Sequence, residues 1–131
     1  MATQGTSKRG ECPCEGKTLE RFIRPAVLII LARGHQQYGY GILQQLSAMP
    51  LCAGERPNAA GVYRCLRLME REGLVTSAWA VSEAGPARRM YTLTEEGERC
   101  LCRWLMTLNS YKVAIEELLK LGQEALIPAQ S

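Results

Sequence analysis

Residues 58–93, NAAGVYRCLRLMEREGLVTSAWAVSEAGPARRMYTL, carry a helix signature followed at once by a hairpin signature. Val62, Leu66 and Met69 recur at helical spacing on one face, and Arg64, Arg67 and Arg71 recur at the same spacing on another. Such a helix buries the first face and offers the second to an anion. Two runs rich in β-branched and aromatic residues follow, LVTSAWA at 74–80 and ARRMYTL at 87–93, flanking the turn signal Glu83-Ala84-Gly85-Pro86. They predict a β-hairpin with Arg88 and Arg89 near its tip. A helix and then a hairpin, each bearing cations, is the order of a winged helix-turn-helix that meets duplex DNA at two points.

At the start of that helix Asn58 follows Pro57 and suits an N-cap. The small residues Ala59, Ala60 and Gly61 let the backbone approach a major groove, and Arg64 is the side chain placed to reach a base edge, where arginine forms a bidentate contact with guanine. Arg67 and Arg71 lie further along and are expected to meet phosphate or solvent. Tyr63 is expected to pack at the helix base rather than to read a base. The preceding Leu51–Arg56 segment has the length of a connecting turn.

Further upstream, Thr18 can cap a short helical turn through Phe22 and Ile23, and Pro25 suits the first turn of a second segment, AVLIILAR at 26–33. That run is apolar nearly all round, so it predicts a helix buried on most sides and stopped by Gly34. Gly34-His35-Gln36-Gln37 reads as a loop. YGYGILQQLSAM at 38–49 reads as the next helix, with Ile42, Leu43 and Leu46 inward. Tyr38 and Tyr40 have two readings: a phenol on a DNA phosphate, or rings packed at the helix start.

The C-terminal third is one long helix. Thr94 caps it, and Glu95 and Glu96 occupy the first turn, where the helix dipole favours negative charge. Leu101, Trp104, Leu108, Tyr111, Ile115 and Leu118 then recur at intervals of 3, 4, 3, 4 and 3, the pattern of a helix that pairs along a seam. A small domain cannot cover the whole stripe, so the helix is expected to pair with its copy in a homodimer. A two-fold pair of recognition helices fits a palindromic operator.

The resulting division is a flexible N-terminal arm at 1–17, a winged-helix DNA-binding domain at 18–93, a dimerisation helix at 94–122 and a tail at 123–131. The fold class is mainly α with a small β-hairpin. The 131 residues suit one core. The net charge of +3 is unevenly spread, with six arginines against three glutamates over 56–92 and four cations against six glutamates over 93–131. No stretch reaches about 18 apolar residues and the N-terminus lacks an apolar signal core, so neither membrane insertion nor secretion is expected and the location is expected to be cytoplasmic. The chain has no aspartate and a single histidine, His35, so a Ser-His-Asp arrangement is impossible and an enzyme is not expected.

Six cysteines without an export signal read as free thiols. Cys12 and Cys14 in the arm form a Cys-x-Cys pair that either senses a metal ion or thiol oxidation or is incidental. Cys100 and Cys102 point about 200° apart on a helix and cannot easily share one metal. Cys65 lies on the apolar side of its helix and reads as a small core residue. In the arm, Lys8 and Arg9 either touch phosphates or belong to a tail without a role.

YGYGILQQL, then GVYRCLRLMEREGLV, then RRMYTLTEEG together resemble the PadR family of bacterial transcriptional regulators over roughly Ala26 to Leu121. The carriers are Tyr38-Gly39-Tyr40, the series Tyr63, Leu66, Glu70, Gly73-Leu74, and Tyr91-Thr92-Leu93-Thr94. The resemblance implies a winged-helix domain, a C-terminal dimerisation helix and a repressor-like role. Ala60-Gly61 stands where relatives often carry Gly-Thr, a departure at the base-reading end of the helix. Multidrug-binding relatives take flat apolar ligands against tryptophan between their long helices. By that analogy Trp104, Leu108 and Tyr111 are either a site for a small aromatic effector or ordinary interface packing. No cofactor is expected beyond such an effector or a metal ion. The rival reading is a winged helix used for protein–protein contact, against which the helix and wing arginines argue.

Overall fold

The computed structural model describes residues 19–34, 36–49, 57–80, 85 and 88–127. Cys12, Cys14, Thr18, His35, the Leu51–Arg56 connection and most of the hairpin turn, including Glu83, Ala84 and Pro86, lie outside them, as do the readings that rest on them. The element order is α1 (Leu19–Gly34), β1 (Gln36–Tyr38), α2 (Gly39–Ser47), α3 (Ala59–Arg71), β2 (Val75–Ala80), β3 (Arg88–Leu93) and α4 (Glu95–Leu126). The architecture is a winged helix: helices packed against a three-stranded antiparallel sheet, with a long helix leaving the domain.

α1 is the central element. Val27, Leu28, Ile30 and Leu31 are completely buried, and α1 packs against α2, α3, β3 and α4. This is the outcome expected for a helix apolar on nearly every side. The break expected before Pro25 is absent, however, and one helix runs through it. Proline removes a single hydrogen bond, to the carbonyl four residues back. That carbonyl belongs to Arg21, an exposed residue whose backbone water can serve, while the Pro25 ring is buried in the core.

Residues 36–38 correct a second expectation. They form a short strand rather than a loop, paired antiparallel with β3 in the register Gln36 to Thr92, Gln37 to Tyr91 and Tyr38 to Met90. The sheet order is therefore β1-β3-β2. α2 starts at Gly39 instead of Tyr38, which is its N-cap residue in an extended conformation without a side-chain cap. Gln37 holds the crossing between α1 and the sheet: its amide donates to the Ile30 carbonyl at 2.7 Å, and its side-chain oxygen accepts from Gln45.

α3 buries Val62, Leu66 and Met69 completely, in the same core as Ile42 and Leu46 of α2. Each such side chain contributes about 1.5–3 kcal/mol of transfer free energy. Asn58 caps the helix, its side chain accepting from the Gly61 N–H at 3.2 Å. The helix ends with Gly73 at φ +82°, and the chain turns directly into β2. Leu74, Val75 and Tyr91 close the core from the sheet.

α4 is capped by Thr94, whose hydroxyl oxygen accepts from the Gly97 N–H at 3.0 Å. It runs to Leu126, four residues past the expected end. Leu101 and Trp104 are half-buried against the protomer's own core, and the Tyr111 ring meets Phe22 of α1 edge-on at 6.3 Å. Beyond Tyr111 the helix stands clear of the domain, with Ile115 and Leu118 exposed at 52% and 68%.

Candidate nucleic-acid interface

Successive residues of α3 advance by about 100°. Arg64, Arg67 and Arg71 therefore fall within a narrow arc opposite Val62, Leu66 and Met69, and all three arginines are exposed. Burial of the apolar stripe thus aims the cationic stripe outward. Asn58, Ala59 and Ala60 are exposed at the N-terminal end of the same helix, and Gly61 is half-exposed. Tyr63 is half-buried against the core, as expected, with its ring 2.6 Å from where a Cβ on Gly39 would stand. The glycine at the start of α2 is what lets the two helices meet there.

The hairpin lies beside α3 in the register Val75 to Leu93, Ser77 to Tyr91, Trp79 to Arg89 and Ala80 to Arg88. The Arg88 guanidinium sits over the Tyr38 ring, 5.6 Å from its centroid. Arg88 and Arg89 are both exposed, but Arg89 is not a free cation. Its Nε donates to the Ser77 hydroxyl at 2.9 Å, its Nη2 lies 3.9 Å from the Glu70 carboxylate, and its guanidinium covers the Trp79 ring at 5.2 Å. Ser77 in turn donates to Glu70, with oxygens at 2.8 and 2.9 Å.

An open cleft of about 650 Å³ lies where α2, α3 and β3 meet, lined by Tyr38, Tyr40, Tyr63, Tyr91, Arg88 and Arg89 among others. Tyr40 is 65% exposed, which removes the packed-ring reading for that residue. Tyr38 is half-buried under Arg88. Tyr91 is buried, and burial pushes its phenol above the ordinary value. Hydroxyls, guanidinium groups and the first turn of α2 suit a phosphate or sugar edge.

On the opposite side of α3, Cys65 is half-buried with its Sγ 3.6 Å from the Met69 sulfur, and burial pushes its thiol above the ordinary value. Cys100 packs against the core while Cys102 is exposed, so the two do point apart. Arg24 of α1 pairs with Glu72 at 2.5 Å and ties the end of α3 to the central helix. Among the described residues no cluster of three metal-ligating side chains occurs, and no helix is long and apolar enough to cross a membrane.

Sequence reading singled out neither Ser77 nor Trp79, and it named Glu70 only among the residues that carry the family resemblance. Their association depends on the strand register and on the angle at which the hairpin leaves α3, neither of which a linear pattern specifies. Tyr91, read as part of a strand and of the family resemblance but not of a cleft, enters it for the same reason.

The sequence matches the model of the transcriptional regulator PadR-like family over residues 27–103. The structure is similar to that of a PadR family transcription regulator from Clostridium difficile, with 25% identity, a TM-score of 0.65 and coverage of 75% of this chain and 98% of that one. It is also similar to a PadR family transcriptional regulator from Eggerthella lenta, at 25% identity, a TM-score of 0.61 and coverage of 77% and 85%. A PadR-like transcriptional regulator from Bacillus cereus shares the fold at 21% identity, a TM-score of 0.65 and coverage of 79% and 96%. Comparison with curated proteins gave no match. With more than half of the chain matched by the family model, and with the helix, wing and long C-terminal helix in place, the chain belongs to the PadR-like family of transcriptional regulators, not to a family of enzymes.

Proposed function

We propose that the protein is a homodimeric repressor that binds a palindromic operator, with α3 in the major groove and the wing on the adjacent backbone. The observation that carries the reading is the exposed stripe of Arg64, Arg67 and Arg71 on α3, set beside a hairpin that carries two further arginines. A protein-docking face would present apolar side chains there instead. In this reading Arg64 contacts a base edge, Arg67 and Arg88 neutralise phosphates, and Tyr38 and Tyr40 bound the phosphate path through the cleft.

Release from DNA follows from a change in half-site spacing. An effector held between the long helices by Trp104, Leu108 and Tyr111 favours a dimer geometry whose two α3 helices no longer fit the operator, and it does so only by its differential affinity for the two geometries. The second route to release is Cys12 and Cys14 acting as a metal or thiol switch. Zn²⁺ or an oxidant would then release the parent protein and leave a Cys12→Ser/Cys14→Ser variant bound.

The test is selection of duplexes by the full chain from a random library. Two inverted half-sites, spaced by about one helical turn or a multiple of it, are expected. Arg64→Ala should cost about 1–3 kcal/mol on the selected duplex and relax preference at one position, while Arg67→Ala weakens all duplexes alike. Equal losses for Arg64→Ala on selected and random duplexes remove its base-reading role.

A further inference from the structure

Side chains along a strand alternate between the two faces of the sheet, so Ser77 and Trp79 share one face of β2. The hydrogen bonds from Ser77 to Glu70 identify that face as the one turned toward the recognition helix. Trp79 is two residues further toward the hairpin tip on the same face and 61% exposed. It packs into no core, yet it is held: Arg89, directly across the ladder, covers its ring at 5.2 Å, and Arg89 is itself held by Ser77 at 2.9 Å. Glu70, Ser77, Arg89 and Trp79 thus form one chain of contacts from α3 across β3 and β2.

We propose that Trp79 is the wing's apolar contact with duplex DNA and that Arg89 is its positioning residue, so that helix and wing meet the duplex as a single rigid body. This rests on the DNA-binding reading above. The charge balance supports it: Arg89 faces Glu70 and the pair presents no net charge, whereas Arg88 meets the Tyr38 ring and, among the described residues, no carboxylate. A phosphate would have to compete with Glu70 for Arg89 but not for Arg88. An indole fixed in advance loses little freedom on contact, and its open edge suits deoxyribose and the groove wall better than a phosphate oxygen does. The wing therefore contributes one counterion-releasing cation, not two.

The full chain and the duplex it selects decide the matter, with an unrelated 40-base-pair duplex at low salt as the second probe. Trp79→Ala and the charge-neutral pair Arg89→Ala/Glu70→Gln should each weaken binding about ten-fold without changing the slope of log K against log salt, and Trp79→Phe should restore most of the loss of Trp79→Ala. Arg88→Ala should reduce that slope by about 0.9. With both tryptophans labelled as 5-fluorotryptophan, the resonance missing from Trp79→Phe should shift when duplex is added, and in Arg89→Ala it should shift less. This readout holds even where Trp79→Ala fails to fold. A slope reduced by about 0.9 in Arg89→Ala/Glu70→Gln, or parent protein that binds duplex with the Trp79 resonance unmoved, overturns the assignment and leaves the DNA reading intact. A parent chain that selects no duplex and binds neither probe removes both.

Discussion

Gly73 shows how one residue governs the passage from recognition helix to wing. At φ +82° its N–H reaches the Glu70 carbonyl at 3.0 Å while the Leu74 N–H reaches that of Met69 at 2.9 Å, which satisfies the last carbonyls of α3 and reverses the chain into β2. A Cβ there meets no neighbour, so the cost of substitution lies in the left-handed backbone alone. Gly73→Ala should lose about 1–2 kcal/mol in urea denaturation with an unchanged m-value. Two proton donors, the half-buried Cys65 and the buried Tyr91, set a different dependence. Burial raises the Cys65 thiol above its ordinary value of 9.0 and the Tyr91 phenol above 10.0. A raised folded-state pKa means that stability is complete below the unfolded value and is lost as pH rises through the folded one. The urea midpoint should therefore be flat from neutrality to about pH 9 and fall above it. Tyr91→Phe should remove the later part of that fall.

At the scale of elements, the joint between wing and long helix is fastened by hydrogen bonds from a single side chain. The Thr94 hydroxyl donates toward the carbonyls of Gly73 at 2.7 Å and Leu74 at 2.9 Å while accepting from Gly97, so the start of α4 is fastened to the turn that ends α3. A Cβ on Gly97 would stand 2.2 Å from the Leu74 carbonyl oxygen, which cannot give way. Gly97→Ala should lower the melting temperature by several degrees and weaken DNA binding beyond that loss, because displacing α4 also moves α3; unchanged melting would mean that the joint yields freely. The long local patterns were legible in the sequence: α3 with its Asn58 cap, both hairpin strands and α4 announced themselves through periodicity and capping chemistry. What stayed hidden was non-local. Gln36–Tyr38 is too short to show alternation and becomes a strand only because β3 offers an edge, and the helix through Pro25 persists only because the surrounding core holds it. The arginine stripe was readable from its spacing, but the pairing of Arg89 with Glu70 required the register of a hairpin whose connection is seven residues long, from Val81 to Ala87.

For the whole molecule, the decisive feature is the split role of α4. Its first turns complete the protomer's core through Leu101 and Trp104, and its last turns carry Ile115, Leu118, Leu119 and Leu121 more than half exposed to solvent. A run of apolar side chains on a helix that leaves its domain is larger than the scattered apolar residues of an ordinary surface, and the dimer proposed above would cover it. In a two-fold pair the same stripe meets itself, and the distance between the two α3 helices is then set by where the long helices cross. Because Ile115 and Leu118 support nothing within the protomer, Ile115→Glu/Leu118→Glu should melt as a well-folded domain yet sediment as a monomer. Its affinity for a single half-site should match that of the parent, while its affinity for the full palindrome should fall by about two orders of magnitude, since linkage of two sites supplies that much avidity. A variant that still sediments as a dimer would move the seam to another surface and would detach operator spacing from the geometry of α4.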